Sequence, residues 1–143
     1  MKLRITIIIA MLLLAMGTHA QSDLAVGSVF NKKVIPQKEM VETSVRASSL
    51  SRYRLTYYHS LRFTPEAQEA ATVRRLFSQD ARQATGNYTL KKGRHHSKTI
   101  ISLPPKNGKH RYLALIEQRK EMTLVYMEGS VSSIKELRDL LEK

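Results

Sequence analysis

Apolar and polar residues alternate through 50–63. Tyr53, Leu55, Tyr57, His59, Leu61 and Phe63 fall on one side, and Arg52, Arg54, Thr56, Tyr58, Ser60 and Arg62 on the other. A period of two predicts a strand from Leu50 to Phe63 with one apolar and one basic face. A strand of that length is expected to bend or to carry a bulge. After Thr64-Pro65 the period changes. The threonine hydroxyl can cap free amides, and proline suits the first helical position because its missing N–H costs nothing there. Ala70, Val73, Phe77, Ala81 and Ala84, joined by Leu76, then share one helical face, and Gly86-Asn87 ends the run.

Four shorter strands follow, at Tyr88–Lys92, Lys98–Leu103, Arg111–Glu117 and Met122–Glu128, separated by turns at Gly93, at Pro104-Pro105 with Asn107-Gly108, and at Gln118–Glu121. A last helix opens on Ser133 with Glu136 as a capping box and carries Ile134, Leu137, Leu140 and Leu141 as its buried stripe. Hairpin succession implies an antiparallel sheet. The fold class expected is α+β, a mostly antiparallel sheet with two amphipathic helices packed on one face. Residues 38–143 then form one α+β domain. Residues 21–37, with Leu24, Val26, Val29 and Phe30 ahead of Asn31-Lys32-Lys33 and Pro36, read as an N-terminal arm or short helix.

The first twenty residues have a different character. Lys2 and Arg4 precede an apolar run from Ile5 to Met16, and Gly17-Thr18-His19-Ala20 supplies the small residues of a cleavage site, so 1–20 read as a secretion signal cut after Ala20. The run is too short for a membrane span, which takes about 20 apolar residues. A periplasmic or secreted protein with no transmembrane anchor after cleavage is the expectation. The sequence contains no cysteine, which excludes disulfides, a cysteine-linked lipid anchor and cysteine-based metal or redox chemistry. The mature chain, Gln21 to Lys143, must rely on its core.

Charge adds a second theme. The full chain carries 24 basic and 12 acidic residues, and loss of Lys2 and Arg4 still leaves a formal +10. No acid occurs from Thr43 to Pro65 or from Ala81 to Ile116. These two stretches hold Arg46, Arg52, Arg54, Arg62, Arg82, Lys91, Lys92, Arg94, Lys98, Lys106, Lys109 and Arg111. Such an excess attracts anionic polymers or surfaces, or else it keeps an exported domain soluble and the partner is a protein.

Within them, Lys91, Lys92, Arg94, His95, His96 and Lys98 surround one glycine turn and form the candidate binding site, with an ordinary solvated hairpin tip as the plainer alternative. His59 sits on the apolar side of its strand and reads as a core histidine held by a hydrogen bond. The pair His95-His96 lacks neighbours that could complete a metal shell, so no metal site and no cofactor are expected. No nucleophile elbow, phosphate-binding glycine loop or paired-carboxylate signature occurs, so no catalytic residue is assigned and a hydrolase is the least favoured class. Asn87-Tyr88-Thr89 fits an N-glycosylation pattern, of consequence only in a eukaryotic secretory route.

Ala20-Gln21, Val29-Phe30, Met40-Val41-Glu42, Tyr53 with Tyr58-His59-Ser60-Leu61, Leu103-Pro104, and Leu124-Val125-Tyr126-Met127-Glu128-Gly129 before a terminal helix carry a family likeness. Together they resemble a family of small exported Bacteroidetes proteins, the domain of unknown function 6108. The chain departs from it at Asn31-Lys32-Lys33-Val34-Ile35-Pro36, where members often have a Tyr-Gly-Lys-rich turn. The resemblance implies an envelope or secreted location and an α+β domain, and it implies no reaction, cofactor or active-site residue.

Overall fold

The computed structural model describes residues 21–46 and 48–141; the expected secretion signal, residues 1–20, lies outside the described residues. A turn of helix, α1 (Gly27–Phe30), is followed by β1 (Met40–Val45), β2 (Leu55–Phe63), α2 (Ala67–Ala81), β3 (Gly86–Lys91), β4 (His96–Lys106), β5 (Lys109–Gln118), β6 (Glu121–Gly129) and α3 (Ile134–Leu141). The strands form one six-stranded sheet in the order β1-β2-β6-β5-β4-β3, and every neighbouring pair is antiparallel. The fold is therefore α+β with an antiparallel sheet. β3 to β6 are a simple meander, and β2 joins it by pairing with β6.

The two longer helices do not share a face. Ala70, Val73 and Phe77 of α2 pack with Leu61, Phe63, Leu113, Leu115, Leu124 and Tyr126. Leu137 of α3 packs with Tyr112, Ala114, Val125 and Met127, the alternate residues of the same strands. Successive side chains of a strand point to opposite faces, so the helices lie on opposite sides of the sheet. The reason is visible in β5 and β6, which bury unbroken runs, Arg111–Leu115 and Leu124–Met127. Strands buried on both faces need cover on both.

The long alternating segment is also divided differently. Ser48–Tyr53 is a 3-10 turn, Arg54 has φ of 56°, and the strand starts at Leu55. A register shift between Leu55 and Tyr57 inserts one extra residue opposite β6. It turns Leu55 to the α3 side while Tyr57 stays on the α2 side. Here the chain crosses the end of β6 so closely that a Cβ on Gly129 would collide with the Arg54 carbonyl oxygen, which accepts the amides of Ser130 and Val131. Only glycine fits.

Helix α2 begins later than Thr64-Pro65. Glu66 is its N-cap, and Glu69 reaches back to accept the Glu66 amide at 3.0 Å. The helix ends at Ala81, and Gly86 already belongs to β3. The Ser133 hydroxyl does accept the Glu136 amide at 3.1 Å, while Leu141 is left 44% exposed rather than buried. Strand β1 has no counterpart among the strands expected from periodicity, because Met-Val-Glu-Thr-Ser-Val is an edge strand with no fully buried residue.

Residues 21–35 dock on the α2 side, burying Val26, Val29, Phe30 and Ile35. Polar anchors hold them there. Both carboxylate oxygens of Asp80 accept arm amides, from Ala25 at 2.8 Å and Val26 at 3.0 Å. Burial outweighs these bonds and pushes the Asp80 pKa up. Arg111 forks onto both oxygens of Asp23 at 2.7 and 3.0 Å and donates from Nε to the Tyr126 hydroxyl at 2.9 Å, and that hydroxyl in turn donates to Glu128. Arg111, one of the cations in the acid-free stretches, is thus an interior residue, 3% exposed. A buried guanidinium needs such partners, because a charge removed from water without compensation is strongly unfavourable.

Phe77→Ala should lower the unfolding free energy by about 3–5 kcal/mol and Leu137→Ala by about 2–5 kcal/mol. The two losses should add in the double variant, because the side chains sit in separate clusters across the sheet. Denaturant melts of the three variants check this, and strong coupling would contradict the opposed placement.

Candidate anion-binding end of the sheet

His59 is placed by β2 against β1 and the arm, and it is 5% exposed. The Gln21 side-chain amide donates to its Nδ1 at 3.0 Å, and its Nε2–H donates to Glu42 at 2.6 Å. Lys32 approaches the same Glu42 oxygen at 3.1 Å, and the Phe30 ring stacks at a tilt on the imidazole, 4.7 Å between centroids. Burial drives the His59 pKa below its ordinary value, overriding the pull of Glu42. Glu42 is raised by burial but held lower overall by its bonds from His59 and Lys32. The result is a neutral imidazole with both nitrogens occupied. That is the core histidine expected from the alternation, and it leaves no free nitrogen for proton transfer to a ligand.

The candidate residues of the glycine turn lie on both sides of the β3–β4 hairpin. The Lys92 amide closes the turn on the His96 carbonyl at 2.9 Å, and Gly93 takes a φ of 70°. Lys91, Lys92, Arg94 and His95 are exposed, and His96 and Lys98 are half-buried. Leu90 pairs with Lys98 and Lys91 with Ser97, so Lys98 shares the α3 side of the sheet while Lys91 faces the α2 side. The cluster is a rim around the end of the sheet rather than a patch on one face.

The rim is longer than the glycine turn alone. The Arg119 amide donates to the His95 carbonyl at 2.6 Å, and His96 pairs with Gln118. The β5–β6 turn is thereby fastened to the β3–β4 turn, and exposed Arg119 and Lys120 extend the cationic row. Gln118–Glu121 is the turn expected from the sequence, but it lies outside the acid-free stretches because Glu117 and Glu121 flank its two cations. Those acids are already engaged. Glu117 pairs with Arg74 at 2.7 Å and Glu121 lies 3.9 Å from Arg62. Among the described residues none of Lys91, Lys92, Arg94, Lys98, Arg119 or Lys120 makes an ion pair.

The cations of the first acid-free stretch do not join this row. Arg46 stacks on Tyr57, Arg52 on Tyr53, Arg54 bonds Glu136, and Arg62 sits in a cleft lined by Glu39, Glu66, Glu69 and Glu121. The same end of the sheet is therefore acidic at its β1–β2 corner and basic along β3 to β6. Arg119 adopts a left-handed φ of 58°. A two-residue hairpin with its first turn residue in that region normally has glycine there, so the cation is held at a conformational cost.

Among the described residues the remaining histidines do not converge. His110 stands at the start of β5 and His96 pairs with its end, which separates them by roughly 26 Å along the strand. Among the described residues no three His, Asp or Glu side chains are arranged to hold a metal ion, and no helix is long and apolar enough to cross a membrane.

Fold and site together define a small antiparallel α+β domain, helix-covered on both faces, with a cationic hairpin rim at one end. The chain belongs to a family of unknown function, DUF6108, whose model matches residues 13–141. No curated protein matches it.

A pH dependence follows from the His59 contacts. The folded chain resists protonating His59, so as pH falls below 6.5 the unfolded chain binds the proton first and stability declines. Glu42 adds its own loss below 4.5, whereas the raised Asp80 acts in the opposite sense above 3.8. The thermal midpoint should therefore drop on acidification through 6.5, and His59→Gln should flatten that part of the profile.

Proposed function

We propose that the chain is an exported bacterial protein of the periplasm or cell exterior, mature from Gln21, and a non-enzymatic domain that binds an anionic polymer or surface. The binding element is the double hairpin end, made of Lys91, Lys92, Arg94, His95, His96 and Lys98 with Arg119 and Lys120. The observation that carries this reading is the Arg119 to His95 backbone bond, which joins two cationic turns into one row. Cations so close together act on a single ligand within one Debye length, about 8–10 Å. Free of internal partners, they lose no ion pair when the ligand arrives. The acidic β1–β2 corner orients an approaching polyanion toward the β3–β6 side.

A catalytic role fits less well. His59 is tied on both nitrogens, and the other described histidines are spread over the two ends of the sheet. General acid–base chemistry needs groups that meet around one reacting atom.

Replacing Lys91, Lys92 and Arg94 with Ser should weaken binding to heparin at low salt while changing stability by no more than about 0.5 kcal/mol. The wild-type affinity should also fall steeply as salt rises. Arg119→Gly separates charge from fold: relief of the left-handed strain, about 1 kcal/mol, should raise the melting point while binding weakens. If wild-type protein ignores heparin, duplex DNA and anionic vesicles alike at low ionic strength, the anion reading fails and the partner is a protein.

A further inference from the structure

Gln21 is the most deeply placed polar residue of the arm. It is fully buried, its Nε2 donates to His59 Nδ1 at 3.0 Å, its carbonyl accepts the Leu24 amide, and its Oε1 has no hydrogen-bond partner. A Cβ on Gly27 would come within 2.6 Å of the Gln21 carbonyl oxygen, so the start of α1 closes directly over this residue. If the chain is cut after Ala20, as the proposed export route requires, Gln21 becomes the terminal residue. Its α-amino group has an ordinary pKa near 8 and is charged at neutral pH. An ammonium and a primary amide would then both have to be accommodated in a site where one amide atom already lacks a partner. Buried charge of that kind is strongly disfavoured, and groups that can become neutral do so.

We infer that Gln21 is a modification site, and that the mature protein carries it as an N-terminal pyroglutamate docked in the core beside His59. The step is intramolecular and balanced. The uncharged α-amine attacks Cδ of its own side chain, a C–N bond closes the five-membered lactam, the Cδ–Nε2 bond breaks, and Nε2 leaves as ammonia. No oxidant, reductant or second substrate is consumed. Cyclisation occurs on the newly cut chain, before the arm docks and closes over Gln21. The lactam replaces a charged group and a primary amide by one N–H and one carbonyl, so fewer buried polar atoms need partners. Its N–H is the donor left to face His59 Nδ1, which accepts because Nε2 carries the proton donated to Glu42. Aliphatic neighbours would gain nothing from this chemistry; a glutamine at this one position does.

This inference rests on export with cleavage after Ala20, and one measurement separates the two. The intact mass of the full-length gene product, recovered from the envelope or medium of the expressing bacterium, should equal that of 21–143 less one ammonia. Edman degradation should be blocked, and pyroglutamyl peptidase acting on the unfolded chain should restore a sequence beginning at Ser22. The Gln21→Ala variant, which cannot cyclise, should give an open N-terminus and a lower melting point. A mature chain starting at Gln21 with a free amine and full mass overturns the modification while leaving export intact. A recovered protein that retains its leader, or begins elsewhere, overturns both.

Discussion

The pairing of β2 with β6 is the contact on which the rest of the molecule depends. It links β2 to the last strand of the meander, runs from Leu55–Gly129 to Phe63–Met122, and joins β1 and β2 to the other strands. The bulge after Leu55 lets one strand serve two cores, with Leu55 sent to the α3 side and Tyr57, His59, Leu61 and Phe63 kept on the α2 side. Gly129 permits the close crossing that makes this register possible. Contacts so distant in sequence carry a large loop-closure cost, which the two-sided burial of β5 and β6 offsets.

With the sheet assembled, its α2 side offers a polar strip as well as an apolar surface. His59, Tyr126 and Arg111 stand among Leu61, Leu113 and Leu124, and none could be buried without partners. The N-terminal arm supplies several of them. Gln21 serves His59, Asp23 serves Arg111, and the arm's own amides satisfy Asp80. The arm is thus held by complementary polar pairs as well as by Val26, Val29, Phe30 and Ile35.

At the far end of the sheet the electrostatics follow from which acids are already committed. Glu117 and Glu121 lie beside the cationic turns but are engaged by Arg74 and Arg62, so the row from Lys91 to Lys120 keeps its charge. Its shape follows from strand alternation. Side chains leave a hairpin end in both directions, so this is a rim suited to an extended polyanion or a charged surface rather than a pocket enclosing a small molecule.

Local patterning by itself determined the four meander strands, both longer helices and the turns at Gly93, Asn107-Gly108 and Gln118–Glu121, whereas Pro104-Pro105, expected in a turn, continue β4 across a register shift. The elements so determined depend on contacts between near neighbours, in which local patterning, capping residues and glycine act directly. It also placed His59 inside and picked out the glycine turn as cationic. The opposed placement of the helices was written in Leu113-Ala114-Leu115-Ile116 and Leu124-Val125-Tyr126-Met127, since apolar residues without alternation mean two buried faces, but the helix stripes alone do not state a side. Other features were decided by tertiary structure alone. β1 is a strand because β2 offers it an edge. Arg111 is a core cation because Asp23, 88 positions away, meets it. Arg119 and Lys120 belong with Lys91 to Lys98 because one backbone hydrogen bond between turns 24 residues apart brings them together. A sequence records which residues could be charged, buried or extended; which distant partners neutralise, cover or extend them is fixed only when the strands take their register.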